Sequence, residues 1–392
     1  VEADVQFTHS EEQLAIRDAA RAFLAEHATP ERVRAAFALP GGYDRRLWQQ
    51  MAGELGWAGL AIPERFGGAG LGWVELCILQ EEQGRRLVAS PFFSTVALAA
   101  SLVREAGSPA HCADLLGRIA AGTTQLACAL TGPAGHAGVD GVTVEIAAGR
   151  GGGFVLTGTS DFVIHADTAD VLLVLARTPG SRGDDGLSIL VVPARSPGVT
   201  ITPHVMLDLT RPMSRLRLDG VAVANEALLG AAGAAGAAIK KALQRAQIAL
   251  AAEALGGAER VLEMTVEYVK QREQFGRPVG SFQAIKHRLA DMMVEVEAAR
   301  SASWYAACVA DEQGAELAEA AAIAKSYCCD AFYDCAANAI QLHGGIGFTW
   351  EHEAHLYFKR ARASATLLGS PAWQREQLLR VLGMGAAAEP VF

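Results

Sequence analysis

The sequence predicts an α+β protein in three successive parts: an N-terminal α-helical domain over 1–122, a central antiparallel β domain over 123–226, and a C-terminal four-helix bundle over 227–392. Three observations carry this. Apolar residues recur at helical spacing through the first part. Short alternating runs between turn residues fill the middle. Four long helical patterns then follow one another. With 392 residues, 51% hydrophobic and 20% charged, the chain has ordinary globular composition and enough sequence for two or three packed units.

Ser10-Glu-Glu-Gln13 is a capping-box pattern that opens a first helix, in which Ile16, Ala19, Ala20 and Phe23 share a face. Residues 43–55, 74–87, 94–106 and 110–121 repeat the helical theme. Between the first two of these, Ile62-Pro-Glu-Arg-Phe-Gly-Gly-Ala-Gly-Leu-Gly72 holds too much glycine and proline for regular helix. The texture changes at Thr123. Gly141-Val-Thr-Val-Glu-Ile146 alternates, Arg150-Gly-Gly-Gly153 reads as a hairpin turn into Phe154-Val-Leu-Thr157, and 170–176, 187–192, 199–202 and 214–223 continue as strands. The helical pattern returns from Gly230. Residues 240–271 form one long helix, and Ser281 is placed to cap the next. There Phe282, Ile285, Leu289, Met292, Met293 and Val296 make an apolar face, opposite Lys286, His287, Arg288, Asp291 and Glu295.

A formal net charge of −9 without a basic run excludes nucleic acid as a natural partner. The cysteines (Cys77, Cys112, Cys128, Cys308, Cys328, Cys329, Cys335) form no Cys-x-x-Cys pair, so neither a disulfide framework nor a zinc site is indicated. A reducing, cytoplasmic setting is expected. Val1-Glu-Ala-Asp-Val5 lacks the basic and apolar regions of a secretion signal. The apolar run 228–239 is too short to span a bilayer. His352-Glu-Ala-His355 places its histidines three apart, whereas the zinc-protease motif needs four, so no metal is expected.

Gln341-Leu-His-Gly-Gly-Ile-Gly-Phe-Thr-Trp350 is a glycine-dense turn between two helical segments. Gly344, Gly345 and Gly347 leave a bare backbone against which something flat or anionic can lie. The spacing is not Gly-x-Gly-x-x-Gly and the run follows a helix, so a Rossmann phosphate loop is excluded. Two readings stay open on these residues alone: a corner that needs glycine only to turn, and a cofactor seat.

Arg272-Glu-Gln-Phe-Gly-Arg-Pro-Val-Gly-Ser-Phe-Gln-Ala-Ile-Lys-His-Arg-Leu-Ala-Asp-Met292, taken with Gln341 to Phe348, resembles the acyl-CoA dehydrogenase family. The resemblance runs from about residue 7 to 380 and includes the loop at 62–72. It implies FAD held at a subunit interface of a homotetramer or dimer. Arg272 and Phe275 match family residues that contact the FAD of one site. Gln341, Gly344 and Gly345 match a segment that closes over the adenosine-pyrophosphate part from a neighbouring subunit. Gln283 matches a glutamine near the same cofactor. The plain alternative for Arg272 is a solvated charge at a helix carboxyl end. In the β domain, Thr131 sits in Leu130-Thr-Gly-Pro133 where relatives carry Thr-Glu-Pro against the flavin ring. Gly132 replaces the glutamate, and His136-Ala-Gly138 replaces the usual Gly-Ser-Asp. Phe162 stands where relatives pack a tryptophan on the flavin; its plain alternative is a core aromatic.

The family reaction removes an α-proton from an acyl thioester while the β-hydrogen leaves as hydride. It needs a carboxylate over the α-carbon in a dry site. The usual base position is Leu368 here, within Leu367-Leu-Gly-Ser370, and the minority position on the first bundle helix is Ala246. Glu253, two turns beyond Ala246 on the same face, is the acid best placed to replace them; Glu259 and Glu376 lie further off. A helix–helix seam is the competing role for Glu253. Ala246, Leu250 and Leu368 are expected to line the acyl cavity. The resemblance therefore implies a flavoprotein acyl-CoA dehydrogenase of fatty acid or lipid metabolism that passes electrons to an electron-transfer flavoprotein. Two alternatives remain: an FAD-holding subunit completed by a related subunit in a heteromeric dehydrogenase, and a flavin oxidase or monooxygenase on the same fold.

Overall fold

The computed structural model describes residues 8–135, 138–149, 152–312 and 314–384. They gather into two compact units, one drawn from Arg34–Gly72 and Ala89–Ala246, the other from Val1–Val33, Trp73–Val88 and Gln247–Phe392.

The first unit is built on an eight-stranded, mostly antiparallel sheet: β1 (Leu126–Ala129), β2 (Glu145–Ala148), β3 (Phe154–Ile164), β4 (Val171–Arg177), β5 (Leu187–Pro193), β6 (Val199–Pro203), β7 (Met213–Val223) and β8 (Leu228–Leu229). The order is β6-β7-β3-β2-β4-β5-β8. β4 reads Val-Leu-Leu-Val-Leu-Ala-Arg and is buried at every residue but the last, the continuous apolar pattern of a strand covered on both faces. One of its edges pairs with β5, and the other is shared by β1 and β2, both running parallel to β4. β7, by contrast, alternates buried and exposed residues over much of its length. β2 and β3 pair antiparallel with Ala148 opposite Phe154, as the expected hairpin requires; Arg150 and Gly151 of its turn lie outside the described residues. Between Ser160 and Val163, β3 slips register against β7, leaving Asp161 and Phe162 in a bulge.

The second unit is helical: α1 (Glu11–His27), α2 (Trp73–Arg85), α3 (Gly236–Gln271, from Gln247 on), α4 (Gln283–Glu312), α5 (Leu317–His343), α6 (Ala354–Thr366) and α7 (Pro371–Val381). The Ser10 capping box forms as read: Ser10 Oγ accepts from Gln13 N at 3.2 Å, and Gln13 Oε1 accepts from Ser10 N at 3.0 Å. α2 has its cap supplied from a distance, because Asp311 on α4 accepts from the backbone N–H groups of Trp73 (2.5 Å) and Val74 (3.2 Å). α5 is central, packing on α4, α6 and α7.

Two glycines set the approach of α2 to α3. A Cβ on Gly84 would lie 2.0 Å from the Glu253 carbonyl oxygen, and one on Gly256 would lie 1.8 Å from that of Glu81. Backbones this close leave no room for side chains at the crossing, so charged groups meet around it. Arg85 reaches Glu259 at 2.8 Å and Glu263 at 2.7 Å, Arg21 reaches Glu82 at 2.6 Å, and Arg300 pairs with Glu259.

Two expectations about α4 need correction. Ser281 does not cap it: its Oγ is buried without a hydrogen-bond partner, because Val279–Ser281 forms a short 3-10 turn and α4 begins at Gln283. Met293 does not join the buried face. It is exposed while Met292 and Val296 are buried, so the seam is narrower than the apolar pattern. Among the described residues no helix is long and apolar enough to cross a membrane.

Burial, then the neighbouring Glu259 carboxylate, pushes the Glu81 carboxyl up to about 8 from an ordinary 4.5. The native state therefore keeps a proton on Glu81 that the unfolded chain has already released above pH 4.5. The Glu81 contribution to stability must fall as pH climbs from there to about 8. Thermal unfolding followed by circular dichroism should show a smaller loss of Tm between pH 5.5 and 8.5 in Glu81→Gln than in the native chain, by about 2–4 °C. Parallel pH profiles for the two proteins would disprove it.

Candidate active site

β9 (Glu273–Gln274) and β10 (Arg277–Pro278) form a tight hairpin directly after α3. Its two central residues, Phe275 and Gly276, have φ of +55° and +76°, the pair of left-handed residues that a two-residue turn of this hand demands. Phenylalanine is an unusual choice there. The result is a ring at the tip, 93% exposed and edge-on to Phe282 at 6.3 Å. The Arg277 guanidinium lies over the Phe282 ring at 4.0 Å, and Arg272 is exposed at the hairpin base. Gln283 is exposed at the first residue of α4.

The glycine turn ends α5. Gly344 has φ +64° and ψ −143°, a backbone conformation that favours glycine, and neither Gly344 nor Gly345 has an atom within 4 Å of where a Cβ would stand. Gly347 is different: a Cβ there would meet the Ile340 carbonyl oxygen at 2.9 Å. One glycine thus serves packing while two leave open backbone. The turn is pinned to α3, since Tyr268 OH donates to the His343 carbonyl at 3.1 Å and the Tyr268 and His343 rings stack at 4.4 Å. Burial lowers the His343 pKa. Gln341 is exposed beside this anchor.

In the sheet unit, the β3 bulge carries Phe162 at φ +57° and 43% exposure, so it is not a core aromatic. Its neighbour Asp161 is fully buried and accepts hydrogen bonds from Arg215 Nη2 at 2.9 Å and His204 Nε2 at 2.7 Å. Burial pushes the Asp161 carboxyl up, but these hydrogen bonds outweigh it and leave its pKa below the ordinary value. The Phe162 ring stacks on His204 at 5.4 Å. Thr131 bridges to the same place, its Oγ1 donating to the Asp161 carbonyl at 2.8 Å. Its hydroxyl proton is thereby used, which leaves the oxygen as an acceptor. Gly132, where a glutamate was the family expectation, has a packing reason: a Cβ there would meet Thr143 at 2.4 Å. His136 and Ala137 lie outside the described residues.

The expected base position is a turn after α6. Leu368 is half-buried with φ +56°, followed by Gly369 at +102°. The Leu368 carbonyl accepts from Gln247 Nε2 at 3.0 Å and Gln374 Nε2 at 2.9 Å. Glu253 is 6% exposed and its carboxylate meets the Arg360 guanidinium of α6 at 2.8 Å, with both side chains nearly excluded from solvent. Leu250 and Ala246 are fully buried.

Models of the acyl-CoA dehydrogenase N-terminal, middle and C-terminal domains match residues 10–123, 127–221 and 235–383. The chain belongs to the acyl-CoA dehydrogenase family. It is 38% identical over 375 residues, 95% of this chain and 97% of the relative, to the acyl-CoA dehydrogenase IpdE2 of Mycobacterium tuberculosis. Its fold matches a chain of the ChsE4-ChsE5 complex from Mycobacterium tuberculosis with a TM-score of 0.87 and 30% identity, covering 97% of this chain and 100% of the other. It also matches a glutaryl-CoA dehydrogenase from Mycobacterium smegmatis in complex with FADH2, with a TM-score of 0.86, 25% identity and 97% coverage of both chains. As an acyl-CoA dehydrogenase the chain is an FAD-dependent oxidoreductase, oxidising acyl-CoA thioesters between Cα and Cβ.

The residues present fit that cofactor. Arg272 offers a guanidinium for phosphate, Gly344 and Gly345 offer open backbone, and Phe275 and Phe162 present exposed aromatic faces from strained, fixed positions. Sequence reasoning missed the groups that hold these in place: Tyr268 for the glycine turn, Asp161, Arg215 and His204 for Phe162, and Gln247 and Gln374 for Leu368. Tyr268, Arg215, His204 and Gln247 lie far in sequence from what they hold, and no local pattern marks any of these groups.

Replacing Arg272 by glutamine should cost about 1.5–3 kcal/mol of FAD binding, the worth of a hydrogen bond to a charged group. Purified protein should then carry visibly less flavin per chain while its circular dichroism spectrum is unchanged. Full flavin content would remove Arg272 from the cofactor site.

Proposed function

We propose that this chain holds FAD and the acyl-CoA, and that a related subunit supplies the group that takes the α-proton. The observation that carries this is the state of the two candidate positions. At the usual position stands Leu368, an apolar side chain on a turn held by two glutamine donors. The candidate replacement acid, Glu253, is held in a buried ion pair with Arg360. That contact engages the carboxylate with α6, with the Glu253 and Arg360 side chains 7% and 5% exposed. Glu253 is better explained as the partner that lets Arg360 be buried between α3 and α6 than as the proton acceptor. FAD supplies the hydride acceptor when bound. The chain's own contribution is apolar lining from Leu250 and Leu368; Arg272, Phe275, Gln283, Gln341, Gly344 and Gly345 of the helical unit, and separately Thr131 and Phe162 of the sheet unit, are the residues we assign to the cofactor.

A heteromeric partner is consistent with the complex of two different chains, ChsE4 and ChsE5, that shares this fold. The exposed Phe275, Ile346, Phe348 and Trp350 beside the hairpin and glycine turn give such a partner, or a second copy in a dimer or tetramer, an apolar surface to cover. Electrons then leave to an electron-transfer flavoprotein.

Two substitutions test the assignment. Glu253→Gln should lower stability by about 1.5–3 kcal/mol by removing a charge-assisted hydrogen bond to Arg360, yet leave α-proton exchange of bound acyl-CoA unchanged in the assembled enzyme; loss of exchange with the fold intact would make Glu253 the base. Leu368→Glu should confer on the isolated chain α-proton exchange that the native chain lacks, read by mass spectrometry in deuterated buffer. Exchange by the native chain alone, at the rate of that variant, would overturn the need for a partner.

A further inference from the structure

Lys325 is fully buried in the middle of α5, amid alanine, serine and cysteine. Removing an ammonium group from water costs several kcal/mol unless polar groups replace its hydration. Here the replacements are three carbonyl oxygens, those of Ser364 at 3.0 Å, Ala365 at 3.4 Å and Gly369 at 3.2 Å. The first two belong to the last turn of α6, at the end of the helix dipole where carbonyls carry partial negative charge and favour a cation; the Ser364 carbonyl also accepts from Cys329 Sγ at 3.7 Å. The third lies beyond the helix end, on the far side of Leu368. One side chain therefore grips both ends of the segment that contains Leu368.

The segment needs such a grip. A non-glycine residue in the left-handed region pays about 1–2 kcal/mol, and Leu368 sits there at φ +56°. Strain of this kind persists where surroundings over-determine the backbone. Gln247 and Gln374 hold the Leu368 carbonyl, and Lys325 holds the carbonyls on either side of it.

We propose that Lys325 is a positioning residue. It fixes the 366–370 turn so that Leu368 stands as a rigid apolar wall of the acyl site and limits substitution at the acyl α- and β-carbons. The wall rests on the reading that acyl-CoA lies against this turn; the grip on the turn does not.

The test is Lys325→Met, which keeps the apolar stem and removes all three donors, beside Lys325→Gln, which keeps one donor group. Amide hydrogen exchange should rise by about tenfold or more in peptides covering 363–370 of the methionine variant, with α3, α4 and the FAD content per chain unchanged. The glutamine variant should fall between, and it carries the same test if the methionine variant does not accumulate folded. In the assembled flavoprotein, preference for straight-chain over α-methyl acyl-CoA, read from the shift of the flavin band on binding, should fall severalfold. Unchanged exchange at 363–370, or an equal rise across α3 to α6, would overturn the grip and leave Lys325 a packing residue. Looser exchange with unchanged preference would overturn the wall. Absence of acyl-CoA binding by the native flavoprotein would overturn the substrate reading instead, while exchange alone still decides the role of Lys325.

Discussion

The helical unit depends on how closely α2 and α3 approach. With Gly84 against the Glu253 carbonyl and Gly256 against that of Glu81, the two backbones touch where any side chain would clash. Helices at this distance cannot be separated by a layer of leucines. The charged residues that flank the glycines are consequently drawn together, and Arg85, Glu259, Glu263, Arg21, Glu82 and Arg300 share one network. The same approach fixes the rotation of α3. That rotation aims Glu253 at Arg360 and sets Gln247 against the turn after α6.

A core with this many charges is not the most stable arrangement available, because buried ion pairs seldom outperform apolar packing of equal volume. What they add here is geometry. The Glu253–Arg360 pair ties α3 to α6, Lys325 ties α5 to the end of α6, and Tyr357 of α6 donates to the Arg85 carbonyl of α2 at 2.7 Å. All converge on the helix that delivers Leu368. In the sheet unit the same logic appears on a smaller scale: Asp161, clamped by Arg215 and His204, keeps a bulge open so that Phe162 faces outward.

Much of this was legible. The capping box at Ser10, the helical ends and the strand-rich middle follow from periodicity and turn chemistry, which are local. The glycine turn and the Arg272 segment were legible because residue type alone limits what a backbone or a guanidinium can do. The pairing of β1 and β2 along one edge of β4 was not, since parallel neighbours arise from non-local closure. Nor was the loss of Met293 from the buried face of α4, where the apolar pattern is wider than the seam, or of Ser281 from its cap.

The sequence by itself determined the class of element, because that rests on spacing within short segments, while its resemblance at 272–292 and 341–348 carried the family and, with it, FAD. It also raised the expectation that Leu368 stands at the usual position of the base. Only the tertiary structure decided what the remaining polar residues do. Glu253 and Lys325 are both buried charges within long helices. Burial makes an isolated charge so costly that each must find a partner, and which partner depends on helices far apart in the chain: a guanidinium for Glu253, a helix end and the turn beyond it for Lys325.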